Sequence, residues 1–226
     1  MVRLVSHLQT TVGKKVVVAL TGLGLVCFVV LHMLGNLQVF EGPHAINRYA
    51  AFLRDMPILL WVIRVGLLIL AILHVGLAIQ LSMRNRHARP TGYVNRTYRQ
   101  ASVASRTMAV SGLVLLAFLL FHLLHLTAGM IDPLSPDHLD SEGHGDVYGK
   151  LVHAFRNPIM VVLYLMGQVG LAFHLSHAVS SSVQTLGLEY GAFNRLFNAA
   201  GPSVAFVVVL GNVAIVLAIF LGVVKV

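Results

Sequence analysis

The chain has 226 residues, 57% of them hydrophobic and only 11% charged, where soluble domains carry about a quarter charged. The apolar residues come in blocks of twenty or more, which excludes an ordinary water-soluble domain and marks the membrane class. The net charge of +8 does not indicate a nucleic-acid partner, because the basic residues cluster between the apolar blocks, where they set topology.

The amino terminus, MVRLVSHLQTTVGKK, runs into a long apolar span without a small-residue cleavage site, so no removable signal peptide is expected. Five helices are predicted in one domain spanning 1–226, roughly over 15–37, 57–83, 106–130, 157–182 and 203–224. Each meets the ~20 residues needed to cross ~30 Å of hydrocarbon, with room for tilt. Lys14 and Lys15 open the first, and Cys27 within it reads as packing. Pro57 opens the second, which Arg84 and Arg86 close, and Arg106 opens the third. Pro158 lies in the first turn of the fourth, and Gly201-Pro202 is expected to precede the fifth, since proline suits helix starts.

One set of loops carries Arg3, Lys14, Lys15, Arg84, Arg86, Arg89, Arg96, Arg99, Arg106 and Arg195 against the single acid Glu189. The other holds Glu41, Asp55, Asp132, Asp137, Asp140, Glu142 and Asp146. The positive-inside rule then places the amino terminus in the cytoplasm and the carboxyl terminus outside. The long connection over 131–156 contains His138, His144 and His153 among its acids, but their spacing fits no metal-ligand pattern, and a solvated outer cap is expected.

Histidine within a membrane span is a functional-site hypothesis by default. The first four spans each contain at least one: His32, His74, His122 with His125, and His174 with His177. Counting from the flanking charges at ~1.5 Å per residue, His32 and His122 or His125 lie in an outer layer. His74 and His174 form an inner layer, roughly 10 Å lower on the same rise. Two imidazoles facing each other across a bundle at one level are what a six-coordinate haem requires, so two layers point to two stacked haems b. A zinc site would want more ligands at one level, and a proton relay would use carboxylates that the spans do not contain. Glycines in ALTGLGL and VSGLVLLAF, ahead of His32 and His122, would let a flat ring or a neighbouring helix approach closely.

The stretches TGLGLVCFVVLHMLGNLQVF, LRDMPILLWVIRVGLLILAILHVGLAI, SRTMAVSGLVLLAFLLFHLLHL and YLMGQVGLAFHLSHAVSSSVQTLGL resemble the cytochrome b membrane-anchor subunit of succinate dehydrogenases and fumarate reductases. GNLQVFEGPHAINRYAAFLR is also similar to that family. The likeness is to its single-chain, five-helix, two-haem type and covers nearly the whole chain, most weakly the outer loop and the fifth helix. It implies an all-α integral membrane protein in a bacterial plasma membrane, with the first four helices bundled around two haems b. It also implies a flavoprotein subunit and an iron–sulfur subunit docked on the cytoplasmic side. Electrons from succinate would pass through those subunits to membrane quinone, menaquinone being the expected one. This chain would serve quinone chemistry and electron transfer, not succinate oxidation.

In the resembled family the third-helix ligand follows a glycine by ten residues, which selects His122 over His125. The fourth-helix ligand sits in an FH dipeptide ahead of small residues, which selects His174 over His177. The matching first and second ligands are His32 and His74, giving His32/His122 for the outer iron and His74/His174 for the inner one. Around them, Arg106, Lys14 and Lys15, with Ser105 and Ser181 nearby, are expected at the inner propionates. Arg64 is expected at an outer propionate or quinone, and His125 and His177 at a propionate or quinone. Trp61 reads as an interfacial belt residue, and Asn36 and Gln38 as helix-end caps in preference to quinone contacts. The intramembrane acid that some menaquinol-oxidising relatives use has no counterpart here, which argues against a proton-coupled variant. The alternatives are another quinol-oxidising di-haem cytochrome b, or a transporter or scaffold whose histidines serve structure.

Overall fold

The computed structural model describes residues 10–88, 91, 101–131, 139–188 and 194–225. The helices, in chain order, are α1 (Thr11–Asn36), α2 (Pro43–Arg54), α3 (Pro57–His87), α4 (Val103–Arg106), α5 (Met108–His122), α6 (Val147–Arg156), α7 (Pro158–Thr185) and α8 (Asn194–Phe220). A 3-10 turn over Leu37–Glu41 follows α1, and a π-helical turn over Leu123–Thr127 follows α5. Among the described residues there is no strand, only an antiparallel bridge between Leu139 and Gly145.

Five helices are long and apolar enough to cross a membrane: Thr11–Glu41, Pro57–His87, Met108–Thr127, Pro158–Thr185 and Arg195–Phe220. Local chemistry sets their ends. The Thr10 hydroxyl caps α1 by accepting from the Gly13 N–H at 3.0 Å. The Asn157 side chain caps α7 by accepting from the Ile159 N–H at 2.9 Å, with Pro158 in the first turn, where its missing N–H costs nothing.

In the bundle α1, α3, α5 and α7 stand in a ring: α3 packs on α1, α1 on α7, and α7 on α5. The fourth side, between α3 and α5, is barely closed. Leu81 is the one buried residue of α3, and Ile58 is 81% exposed, as a helix bathed in lipid would be. By contrast α7 is the central helix, with Val161, Tyr164, Gln168 and Leu175 all buried. Its largest interface is with α8, joined inside the span by the Asn212 amide donating to Gln168 Oε1 at 3.1 Å.

The fifth helix starts earlier than expected and runs through Pro202. Proline supplies no N–H to the carbonyl four residues back, here that of Asn198. The Ser180 hydroxyl on α7 donates into this spot, 2.9 Å from the Phe197 carbonyl and 3.5 Å from that of Asn198. A side chain from a neighbouring helix thus supplies a hydroxyl donor beside the interrupted backbone, bonded chiefly to Phe197, as a membrane helix favours.

Over its described stretch 139–156, the long connection is packed and hydrogen-bonded in place of the expected solvated cap. Helix α6 buries Tyr148, Leu151, Val152, Ala154 and Phe155 against a core that includes Val39, Ile46 and Ile219. Asn47 on α2, 1% exposed, clamps it. Asn47 Oδ1 accepts from the N–H groups of Val147 and Tyr148, both at 2.9 Å, and its amide donates to Asp146 Oδ1 at 3.1 Å. Asp146 in turn caps α6 by accepting from the Gly149 N–H at 2.8 Å. In the adjoining turn burial works to raise the Asp140 carboxyl, but the N–H groups of His144 and Glu142 hold it below the usual carboxylate range. His144 lies in this turn, 3.6 Å from Glu142 Oε2; His153 is on α6, and His138 lies outside the described residues. The end of the bundle that carries α2 and α6 is called the cap end below, and the opposite one the far end.

Candidate functional site

Four histidines from four helices meet in two pairs across the ring. His32 on α1 faces His122 on α5, with ring centroids 5.9 Å apart and planes at 87°. His74 on α3 faces His174 on α7, with centroids 6.4 Å apart and planes at 71°. Both pairs join helices that are diagonal in the bundle. Two imidazoles that each place a nitrogen about 2.0–2.1 Å from a shared metal would have centroids roughly 6 Å apart. Both spacings match. Among the described residues no three or more His, Cys, Asp or Glu side chains form a metal-ion cluster.

The far-end pair is held by backbone. His74 Nδ1 lies 3.0 Å from the Val18 carbonyl and 3.3 Å from Thr21 Oγ1. A carbonyl can only accept, so Nδ1 carries the proton and Nε2 keeps its lone pair for a ligand. Thr21 spends its own proton on the Val17 carbonyl at 2.7 Å, which leaves its oxygen as a second acceptor for His74. His174 repeats the arrangement: Nδ1 is 3.3 Å from Ser111 Oγ, and the Met108 carbonyl accepts from the ring. Ser111 spends its proton on that same Met108 carbonyl, at 3.1 Å. Gly22 and Gly112 complete the seats. A Cβ at Gly22 would lie 2.9 Å from His74 Cε1, and one at Gly112 would lie 3.3 Å from His174 Cε1.

Side chains hold the cap-end pair. The Asn36 amide donates to His32 Nε2 at 3.2 Å; it makes no helix cap, contrary to the expectation for that residue. His122 Nδ1 lies 3.2 Å from the Tyr164 hydroxyl, leaving Nε2 for a ligand. His125 is 2% exposed, and its Nδ1 is 3.0 Å from the same hydroxyl. Phe28 stacks on His32 at 5.4 Å, and Phe118 lies against His122 at 6.0 Å.

These contacts expose a repeat. TGLGLVCFVVLH over 21–32 and SGLVLLAFLLFH over 111–122 place a hydroxyl, glycine, phenylalanine and histidine at matching positions. In each copy the hydroxyl and glycine serve the far-end histidine of another helix, and the phenylalanine and histidine serve the cap end. The two layers are therefore eleven residues apart along α1 and α5, about 16 Å at ~1.5 Å per residue. That exceeds the roughly 10 Å expected from flanking charges at the same rise, because those charges lie at unequal distances from the helix ends. Thr21, Ser111 and Tyr164 make contacts with these histidines that the expected site residues do not include. The repeat carries the signal for the first two, while Tyr164 in an apolar helix reads as packing.

The remaining expected residues lie around these pairs. Lys14 Nζ donates to Gln80 Oε1 at 2.7 Å at the far end, joining α1 to α3. Lys15 beside it is exposed, as is Arg106 at the end of α4. Ser105 lies in α4, its N–H donating to Ser102 Oγ at 3.1 Å. His177 and Ser181 are half-buried on α7, toward the far end from His174. Arg64 lies with its guanidinium 5.4 Å above the Trp61 ring on the exposed face of α3, near the cap end. Gln38 is in the 3-10 turn. A search of protein families, curated proteins and solved structures finds no match to this chain.

Proposed function

We propose that this chain is the di-haem cytochrome b membrane anchor of a succinate:quinone oxidoreductase. The observation that carries the reading is the pair of imidazole pairs, one per layer, at the spacing that a shared six-coordinate metal would impose. Haem b, when bound, supplies a one-electron iron couple whose potential responds to the axial ligands and their hydrogen bonds.

His74 and His174 would ligate one iron through Nε2, their Nδ1 protons held by the Val18 and Met108 carbonyls. His32 and His122 would ligate the other, which requires the Asn36 amide to leave His32 Nε2. The open flank between α3 and α5 offers room for planar groups, and the apolar helices keep water from them. Lys14, Lys15 and Arg106, with Ser105 and Ser181, are the candidates to meet the far-end propionates. Arg64 is the candidate for an anionic or quinone oxygen near the cap end.

Ten of the 16 Lys and Arg residues flank the far end by sequence position, with Glu189 its one acid. Helices α2 and α6 bring Arg48, Arg54, Lys150 and Arg156 to the cap end, but the bias persists. The far end is accordingly cytoplasmic, and there the flavoprotein and iron–sulfur subunits would dock. In a bacterial plasma membrane the chain would pass electrons between the iron–sulfur subunit and membrane quinone, menaquinone being the candidate.

The test is a reduced-minus-oxidised absorbance spectrum of the purified chain with haem quantified per polypeptide. Two haems b per chain are expected, and none would overturn the reading in favour of a transporter or scaffold. Co-purification from the native membrane of a covalent-flavin or flavin-containing subunit with an iron–sulfur subunit is expected as well. Its replacement by a molybdenum or nickel protein would reassign the chain to another quinol-oxidising cytochrome.

A further inference from the structure

Two sequence twins, FHLLH over 121–125 and FHLSH over 173–177, have different surroundings. After His174, α7 continues as regular helix to Thr185 and His177 is half-buried. After His122, the backbone widens into the π turn Leu123–Thr127, with the Ala128 N–H donating to the Leu123 carbonyl at 2.8 Å. Such turns rotate the following residues away from their α-helical directions and recur at functional sites. Here His125 ends up 2% exposed, with Nδ1 3.0 Å from the Tyr164 hydroxyl that also lies 3.2 Å from His122 Nδ1. Tyr164 is itself 5% exposed and wedged among Phe118, Phe121 and Phe155 at 4.8–5.8 Å.

One hydroxyl proton between two ring nitrogens imposes an order. If His122 gives Nε2 to an iron, its Nδ1 must carry hydrogen and donate to the Tyr164 oxygen. The Tyr164 proton is then directed to His125 Nδ1, which must be unprotonated. Each bond in such a chain polarises the next in a low-dielectric interior. We propose that Tyr164 and His125 are positioning residues for His122: a directed chain, His122 to Tyr164 to His125, that fixes the ring and makes it a stronger electron donor. The proposal rests on the haem reading above, and concerns the cap-end haem alone.

Tyr164→Phe keeps the aromatic packing and removes only the hydroxyl. In membranes holding the full complex, redox titration followed by optical and low-temperature EPR spectroscopy should show both haems present. A less donating His122 stabilises ferric iron less, so the cap-end couple should shift toward reduction by about tenfold, or ~59 mV for one electron, with an altered low-spin ferric signal. The far-end couple should not move. His125→Leu, which leaves the hydroxyl without that acceptor, should shift the same couple less in the same direction. His125→Gln, whose amide oxygen can accept the same proton, should restore it. If Tyr164→Phe fails to assemble, the contrast between His125→Leu and His125→Gln decides. Unchanged couples, equal shifts in both haems, or identical behaviour of the Leu and Gln variants would overturn the chain. Absence of haem from the wild-type protein would instead overturn the functional reading beneath it.

Discussion

At the far end His74 and His174 are held by carbonyls of neighbouring helices, Val18 on α1 and Met108 on α5, each backed by a hydroxyl. At the cap end His32 and His122 meet side chains instead, the Asn36 amide and the Tyr164 hydroxyl. The difference follows from the helices. A carbonyl is free to accept a second bond without leaving its ladder, because it has two lone pairs, and glycine beside it lets an imidazole reach it. Such a seat is rigid, since no rotamer can move it. The cap-end seat is built from groups that can turn or be exchanged, and it adjoins the π turn and the α2/α6 cap. One end is thereby suited to holding a ligand in a fixed state and the other to adjusting it.

The largest expected effect separates the two ends outright. On the proposed haem reading, His74→Ala or His174→Ala should remove the far-end haem and leave the cap-end one, while His32→Ala or His122→Ala should do the reverse. Each would leave about half the b-type absorbance, with one low-spin signal surviving. Loss of both haems from any single variant would show that the layers do not form independently.

Next in size is the cap. Asn47→Ala strips acceptors from the Val147 and Tyr148 N–H groups and a donor from Asp146. Leaving a buried group unpaired costs ~1–3 kcal/mol. Tyr148 is buried while Asp146 and Val147 are half-buried and can recruit water, so a total of ~2–4 kcal/mol is expected rather than three full penalties. Heating followed by absorbance should release the cap-end haem first and at a lower temperature than in the wild type. Equal sensitivity of the far-end haem would break the comparison.

What the sequence made legible divides along the same line. The five spans and the two layers of histidines follow from apolar blocks and spacing, which act along one helix at a time, whereas choosing His122 over His125 takes the resemblance. The seats depend on a second helix. Ser180 places a hydroxyl beside the break that Pro202 makes in α8, yet nothing near Pro202 in the chain announces it. Tyr164 becomes a polar partner of His122 and His125 only because α7 packs on α5, and Asn47 only because α6 folds back onto α2. Thr21 and Ser111 were readable in principle: both precede glycine at the same distance from a histidine, and the repeat becomes informative once His74 and His174 are known to lie against it. Charges mark where a loop is, not where a helix begins, so counting from them understates the height between the layers.

The glycine seats sharpen the comparison further. A Cβ at Gly22 would come to 2.9 Å from His74 Cε1, inside any real contact, whereas at Gly112 the distance to His174 Cε1 is 3.3 Å. Gly22→Ala should therefore push His74 off the Val18 carbonyl at an overpacking cost of ~1–3 kcal/mol, with partial loss of the far-end haem on purification. Gly112→Ala should retain it with a smaller spectral change. Equal tolerance at both positions would mean that the seats are looser than the contacts imply.

The smallest effect is expected where the rigid seat has a spare acceptor. Thr21→Val keeps the shape of the side chain and removes its oxygen from His74, while the Val18 carbonyl remains 3.0 Å from Nδ1. Ser111→Ala does the same for His174, where the Met108 carbonyl remains. Because the proton keeps its stronger acceptor, each change should cost ~0.5–1.5 kcal/mol or less. The far-end couple should then rise by well under the ~59 mV of a tenfold change, with the cap-end couple fixed. Tyr164→Phe removes the hydroxyl that lies 3.2 Å from His122 Nδ1, with no carbonyl described beside that ring to replace it, so its shift at the cap end should be the larger of the two. A far-end shift from Thr21→Val that matched or exceeded it would mean that the hydroxyls, not the carbonyls, hold the far-end rings, and the contrast between a backbone seat and a side-chain seat would fail.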